Sequence, residues 1–592
     1  MAQNFTTKSV IIFDERRAEY KKGQEIRITI PATSVPLLLA KGQTQLRFKV
    51  KLESTRGVAA CLNNKIGAEA LIRELTISTL NGVVLEHIDQ YNTLAYIKAH
   101  YGRNKTDNNK AQLSRGAGCC KSIQRNPFYS LNETHAGTDL YTFDNYNEVE
   151  ILLPLDLSGL LGSDNKRIVP LIAMDGGLHI RILLESDASR VVQGVSLLGD
   201  GDVNDGGVYN GLLPMGGIPL FAATNSNLTN LPIAQIADLQ LLAGTANAKT
   251  LHAFDQHPSL RKIAPIFVGS HVQVVDPVIG PTGVAGGRTF GDGGGVVTDC
   301  TTIALRPSIN LGAALDGGAV VAMAANSRIV LDIDSENVFD YTISNVELIC
   351  ASVQAPGGYL QDLQNKMASG GINYDFKTQT CYNVNQQANT TFNSIYIPAT
   401  ESRALSVISI PRPLEDVHTG PSSAGGAAQD AIYVVKSTNF RNYADGIMPS
   451  RCIQKVIQPN NYHYIINNKR IPTRNVDLLR NCHAADRSRL PNAGGNPSLP
   501  AAPRFSAVHI KELEDGLSNC GWEIKNLDRP DLAFCVVRNF SRYGHTSDLS
   551  NQVGELRLNM TYDHVQIPQI WCNFIVHMRR LVLGTSGVEL QI

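Results

Sequence analysis

The feature that most limits what this chain can fold into is a strict two-residue alternation of apolar and polar side chains. From Gln24 to Pro31, Ile26, Ile28 and Ile30 share one side and Glu25, Arg27 and Thr29 the other. From Gln45 to Leu52, Leu46, Phe48, Val50 and Leu52 oppose Arg47, Lys49 and Lys51. A period of two with charge on one side specifies an antiparallel strand with one buried and one wet face. Pro31, Pro36 and Gly42 separate the two runs. Ala70–Ile77 and Val83–Ile88 read as a further pair, joined at Asn81-Gly82, a strong tight-turn signal. Such strands must be stacked in facing sheets, so the chain is expected to be all-β.

The stretch Glu148–Leu184 adds a corner. Val149, Ile151 and Leu153 alternate until Pro154, which has no N–H for a ladder. Gly159, Gly162, Ser163, Asp164 and Asn165 make a turn-prone loop. Pro170 opens a short apolar run, and Gly176-Gly177 allow positive φ before the chain re-enters a strand. Leu178, Ile180 and Ile182 then oppose His179 and Arg181. The expectation is a sheet edge entering and leaving a sandwich. Asp89 is placed to cap a helix reaching about Tyr101, with Tyr91, Leu94, Ile97 and Tyr101 on one face. Lys105–Gly118 reads as an irregular surface loop.

After Glu185 the pattern changes. Gly194–Gly217 and Val275–Gly295 are glycine-rich, with a short helix expected at Leu231–Leu242. Residues 186–326 are read as a large, partly structured insertion, after which strands resume at Arg328–Ile333 and Thr342–Val353. Pro356-Gly357-Gly358 precedes a short helix at Tyr359–Met367, closed by Gly370-Gly371. The β pattern then returns: Phe392–Ile397, Ala404–Ile410, Tyr462–Ile466, Glu555–Tyr562, Ile570–Met578 and Arg580–Leu583. The expected division is 1–358, 359–371 as a helical linker, and 372–592, with no sequence-identical repeat between halves.

At 592 residues there is room for two sizeable cores. Lys plus Arg and Asp plus Glu both number 53, which argues against coating a polyanion by bulk charge and allows many copies to pack closely. An aromatic share of 6% is low for a carbohydrate surface of stacked rings. The eleven cysteines show no CxxC pair or framework spacing and are read as free thiols in a reducing compartment. Met1–Arg17 carries no long apolar run, so no signal peptide is expected. No window reads as a membrane span, and the sequons at Asn132 and Asn227 are read as idle.

Four groups of residues resemble a known family. They are the corner Leu153-Pro154-Leu155 with Pro170-Leu171-Ile172-Ala173; Gly67–Arg73 with Leu80–Glu86 and Tyr91–Leu94; Phe392–Pro398 with Arg403–Ile408; and Tyr462–Pro472. In order and spacing they resemble the double jelly-roll major capsid proteins of the adenovirus, virophage and polinton-like virus lineage. The resemblance spans most of the chain except the insertion. It implies two tandem eight-stranded antiparallel jelly rolls with short helices and a large loop insertion in the first. It also implies a homotrimer whose six jelly rolls form a pseudo-hexamer, tiling an icosahedral shell beside neighbouring trimers, penton and minor or cement proteins. No cofactor and no sequence-specific nucleic-acid binding are implied, and the expected place is the virion.

The chemistry-bearing residues are sparse. There is no HExxH, GxxxxGK[ST] or GxSxG motif. Gly291–Gly295 could cradle an anion but reads as a solvated loop. Cys482-His483 with Asp486 has triad residue types, yet triads are assembled from distant positions. Asp332, Asp334 and Glu336 could sit on one strand face for a calcium ion but read as a strand leaving the core. Cys119-Cys120, His179 and His577 read as structural or surface residues. The basic pairs Arg16-Arg17, Lys21-Lys22 and Arg579-Arg580 are too modest for a DNA site. No catalytic, cofactor or metal residue is therefore assigned. The competing expectation is a glycan-binding or glycan-hydrolysing two-sandwich protein, which would need paired carboxylates and exposed rings in a cleft.

Overall fold

The computed structural model describes residues 5–16, 18–40, 42–54, 60–63, 65–117, 127–128, 147–194, 339–355, 358–386, 391–413, 459–478, 506–527, 533–541, 546–550, 556–562, 569–585 and 587–591, together with isolated strands between 218 and 331. Eight strands build a first sandwich: β1 (Thr6–Phe13), β2 (Glu25–Pro31), β3 (Gln45–Ser54), β4 (Ile72–Thr79), β5 (Val84–Ile88), β6 (Val149–Pro154), β7 (Gly177–Leu184) and β8 (Phe339–Gln354). One sheet runs β1–β8–β3–β6, its ladders extended by the short pieces Tyr20–Lys21, Leu38–Leu39 and Ile168–Val169. The facing sheet runs β2–β7–β4–β5.

A second sandwich repeats the plan. Its strands are β9 (Ile372–Gln386), β10 (Phe392–Ile397), β11 (Ala404–Pro413), β12 (Asn461–Ile466), β13 (Lys469–Asp477), β14 (Val536–Asn539), β15 (Leu556–Thr561) and β16 (Gln569–Gly584). The sheets run β9–β16–β11–β14 and β10–β15–β12–β13. First strand pairs with eighth, eighth with third and third with sixth; second pairs with seventh, seventh with fourth and fourth with fifth. This is the antiparallel jelly-roll order, and it occurs twice. A last strand, β17 (Gly587–Gln591), folds back on the end of β16.

The alternating residues do what their period predicts. Ile26, Ile28 and Ile30, Leu46, Phe48, Val50 and Leu52, and Leu178, Ile180 and Ile182 are all buried in one core. Arg27, Arg181 and Glu25 pair on the wet side, with Arg181 Nη2 to Glu25 Oε2 at 2.5 Å. In the second sandwich, Ile395, Ile397, Tyr462, Tyr464, Leu558, Met560, Trp571 and Ile575 fill the space between the sheets. The Trp571 indole donates to Gln386 Oε1 at 2.7 Å, so its one polar atom is satisfied in the core.

Several local expectations are corrected. The Glu148–Leu184 stretch is not one sheet edge: β6 closes one sheet, whereas β7 lies inside the opposite sheet between β2 and β4. The segment crosses between layers, and Gly177 (φ 144°) makes the entry because a side chain there would meet the Ile30 carbonyl. Lys105–Arg115 is a helix, α2, not a loop. Its composition is polar because only Ala111 is buried, and its limits are set by an Asn104/Asp107 capping box and by Gly116 at φ 67°. Helix α1 (Tyr91–Gly102) has no side-chain cap: Gln90, not Asp89, is the N-cap residue, in the left-handed region at φ 53°. Arg580–Leu583 continues β16 rather than forming its own strand.

The insertion enters between β7 and β8. Its described strands, Ile218–Pro219, Gln240–Leu241, Thr250–His252, His271–Val275, Thr289–Ile303, Arg306–Leu311 and Arg328–Leu331, form one antiparallel sheet. Gln240–Leu241 is a strand where a helix was expected, and the rest of 231–242 lies outside the described residues. The glycine run 291–295 is in a strand rather than a loop, at the pairing shift between Phe290 and Gly295; glycines tolerate such irregular ladders.

Truncating an inward residue should cost far more than truncating its neighbour. Ile180→Ala, at a fully buried site, is expected to remove about 2–5 kcal/mol. Arg181→Ala, on the wet face, should cost under about 1 kcal/mol. Chemical denaturation followed by tryptophan-independent circular dichroism measures both.

Candidate functional site

Among the described residues, the region richest in buried, convergent polar groups is the seam between the two sandwiches. Its apolar base comes from β16. Trp571 and Ile575 point into the second core, while Cys572, Phe574 and Val576 point the other way, into a cluster continuous with the first core. Tyr374 and Phe376 of β9 and Ile408 and Ile410 of β11 join them. Helix α1 lies in this cluster and is buried nearly all round, with Tyr91, Leu94, Tyr96, Ile97 and Tyr101 all covered. That is why it shows no wet stripe.

Glu86 is the polar centre. It stands opposite Ile77, on the core-facing side of edge strand β5, and is fully buried. Its Oε2 accepts from Ser158 Oγ at 2.5 Å and Leu160 N at 3.4 Å, and its Oε1 from Gly159 N at 2.6 Å and Thr378 Oγ1 at 2.7 Å. Thr378 belongs to β9, so one carboxylate ties the two sandwiches together. Burial pushes the Glu86 carboxyl above its usual range, against the pull of these donors. Gly159 is required there: a Cβ would lie 1.4 Å from the Lys377 carbonyl oxygen.

Further bonds cross the same boundary. Arg579 Nη1 donates to the Leu85 carbonyl at 2.6 Å. Asn165 Nδ2 donates to the Tyr374 hydroxyl at 2.8 Å and Arg167 Nη1 to the Asp375 carbonyl at 3.0 Å. The Tyr101 hydroxyl donates to the Ala533 carbonyl at 2.9 Å, and the Tyr101 carbonyl accepts from Lys525 N and Asn526 N at 2.8 and 3.0 Å. Asn383 Nδ2 reaches Asp89 Oδ2 at 2.9 Å, and Lys525 Nζ reaches Asp107 Oδ2 at 2.9 Å.

The residues singled out in the sequence are scattered. His179 is on the wet face of β7, 3.5 Å from Glu15. His577 is buried on β16 with Nε2 3.0 Å from Thr380 Oγ1, and burial lowers its pKa to about 3. Lys22 pairs with Asp340 at 3.1 Å. Arg580 pairs with Asp375 at 2.9 Å, whereas Arg579 is the seam residue above; the pair read as too modest for a DNA site makes structural contacts. Cys119-Cys120, Asp332, Asp334, Glu336, Cys482, His483, Asp486, Arg17 and both sequons lie outside the described residues. Among the described residues no three His, Cys, Asp or Glu side chains group to hold a metal ion, and no helix is long and apolar enough to cross a membrane.

Sequence reasoning missed Glu86, Ser158 and Thr378. The available signal was a carboxylate at an inward register of an alternating strand, a place that demands partners.

Two outcomes test the seam. Glu86→Gln keeps one acceptor and turns an amide toward donors, so it should cost about 1–3 kcal/mol. Because the folded pKa of Glu86 is raised, its ionisation opposes folding. Wild type should therefore lose stability relative to Glu86→Gln as pH climbs from about 4.5 through the folded-state pKa. Denaturation midpoints of the two chains across pH 4–8 read the difference.

No protein-family model matches the chain, and no curated protein does. Among solved structures, the chain is similar to the Faustovirus major capsid protein (TM-score 0.45, 7% identity, covering 98% of this chain and 91% of that one). It is also similar to the PBCV-1 virus capsid (TM-score 0.44, 9% identity, 100% and 98%) and to the Sputnik virophage structure (TM-score 0.41, 8% identity, 99% and 88%).

Proposed function

We propose that this chain is the major capsid protein of an icosahedral double-stranded DNA virus, acting by self-assembly as a trimer that tiles the shell. The observation that carries the proposal is the heterologous seam between two sandwiches of the same strand order. The outer face of the β9–β16–β11–β14 sheet is sealed against the β5 flank of the first sandwich. Among the described residues, the matching face of the first sandwich, β1–β8–β3–β6, is left open, with Ile11 49% exposed. The matching flank of the second sandwich, β13, is also largely exposed. Unlike faces that meet head to tail generate a ring when the rotation closes. Three chains would supply six sandwiches, so a three-fold particle fills a six-fold place in a shell. The sequence motifs resembling the double jelly-roll lineage agree with this reading.

On this reading, residues 1–358 are the first jelly roll with its insertion at about 186–326, 359–371 the linker and 372–592 the second. Neighbouring trimers, penton and minor or cement proteins are its partners, and it resides in the virion after synthesis in the host cytoplasm or nucleus. It has no catalytic task.

Light scattering on the purified chain should give the mass of three copies, and negative-stain images should show three-lobed particles. A charge on the open face should break the ring: Ile11→Arg is expected to raise the dissociation constant of the trimer at least tenfold while leaving the monomer's melting temperature within a few degrees. A monomeric wild type, or a chain that cleaves glycans, overturns the proposal.

A further inference from the structure

The two sandwiches differ on the outer face of their second sheet. In the first, polar pairs close that face: Arg181 Nη2 lies 2.5 Å from Glu25 Oε2, and the Thr29 hydroxyl donates to Glu15 Oε1 at 2.6 Å. In the second, edge strand β10 turns Phe392, Ser394 and Tyr396 outward, because Ile395 and Ile397 point into the core. Phe392 is 56% exposed and Tyr396 52%. The two rings are four residues apart on one side of the strand, a separation of about 13 Å along it.

Between the rings lies a polar row. Ladder pairing puts Asn559 of β15 opposite Ser394, and His463 of β12 opposite Asn559. Directly opposite residues share a face, so the three side chains make one row across three strands. Ser394 is exposed and His463 half-buried, whereas Asn559 is only 8% exposed. The Asn559 Nδ2 lies 3.2 Å from His463 Nε2, while its Oδ1 meets no hydrogen-bond donor among the described residues. A covered amide oxygen without a donor calls for one from outside the chain. Burial, with Arg470 adding to it, lowers the His463 pKa, so the ring is uncharged at neutral pH. Strands β10, β15 and β12 carry no carboxylate, and Arg557 is their one permanently charged side chain.

Exposed rings flanking uncharged hydrogen-bonding groups suit a sugar polymer better than a polyanion. A pyranose of glucose type presents ring hydrogens on both flat faces and hydroxyls around its edge. Those hydrogens carry slight positive charge and rest on the negative face of an aromatic ring. The hydroxyls both donate and accept, as Asn559 and His463 require. We propose that the outer face of β10, β15 and β12 binds an uncharged saccharide chain of glucose or N-acetylglucosamine type. Phe392 and Tyr396 support two units of that chain, and Ser394, His463 and Asn559 bond hydroxyls of the stretch between them. Binding is not followed by cleavage, since hydrolysis takes a pair of carboxylates and these strands have none. Strand β10 is at the far edge of its sheet from β13, so the site is separate from the seam and from the flank assigned to the ring. It stands whether or not three chains close that ring.

Calorimetric titration of the full-length chain with cellohexaose, chitohexaose and maltohexaose tests the site. At least one of the three should bind saturably. Phe392→Ala and Tyr396→Ala should each weaken that binding about tenfold, with melting temperatures close to wild type because both rings are exposed. Ser394→Arg, which sets bulk between the rings at an exposed position, should abolish it. Phe13→Ala, which removes an exposed ring on β1, should leave it unchanged. The proposal is overturned if none of the three sugars binds, or if binding survives in the chain lacking both the Phe392 and Tyr396 rings. Binding of oligothymidylate, or self-association, that the same double variant loses while no sugar binds would assign the face to another partner and overturn it equally.

Discussion

The molecule depends on the fact that β16 is apolar on both faces. A strand with one wet face needs a single partner sheet; one that alternates Trp571 and Ile575 with Cys572, Phe574 and Val576 needs cover on both sides. Each large apolar side chain left exposed would forfeit about 1.5–3 kcal/mol. The second sandwich thus cannot stand alone with this sequence, and the flank of the first sandwich supplies the missing layer. Helix α1 and the turn around Gly159 are shaped by the same demand.

Buried polar groups then fix how the two bodies meet. Apolar surfaces alone would tolerate sliding, whereas Glu86 must find Ser158, Gly159, Leu160 and Thr378 together. A shift of one residue along β9 would turn Thr378 away and leave a desolvated carboxyl short of a donor, a loss of about 1–3 kcal/mol. Registry rather than net stability is the part such groups play best. Close approach of Gly159 to the Lys377 carbonyl adds a steric key of the same kind.

The fold was readable in the sequence wherever one face of a strand is wet, because alternation survives there. Strands β2, β3, β7, β10 and β12 declare themselves in this way, as does the turn at Asn81-Gly82. Legibility failed where cover comes from sequence-distant parts. Helix α1 itself was legible from its apolar spacing, but the loss of its wet face to the second sandwich was not. Helix α2 is held by caps and by ion pairs from Arg115 to Glu69 and Asp156 rather than by an apolar stripe. The seam itself was invisible because Glu86 and Thr378 are 292 positions apart and Arg579 and its Leu85 carbonyl acceptor 494.

The open face of the first sandwich differs in kind from the sealed face of the second. Outward residues of β3, β6 and β8 form a ladder of ion pairs: Arg47 with Glu150 at 3.1 Å and Glu347 at 3.5 Å, and Lys49 with Glu148 at 3.6 Å. The corresponding strands β11, β14 and β16 carry Ile408, Val537 and Phe574 on that side. Exposed ion pairs are weak, satisfied by water and screened by salt, so this face is well hydrated on the single chain. A contact made on it would be wetter and more reversible than the seam. The chain would then have one permanent joint within each copy and weaker joints between copies. If copies assemble as proposed, that ordering would let misplaced neighbours dissociate while each copy keeps its shape.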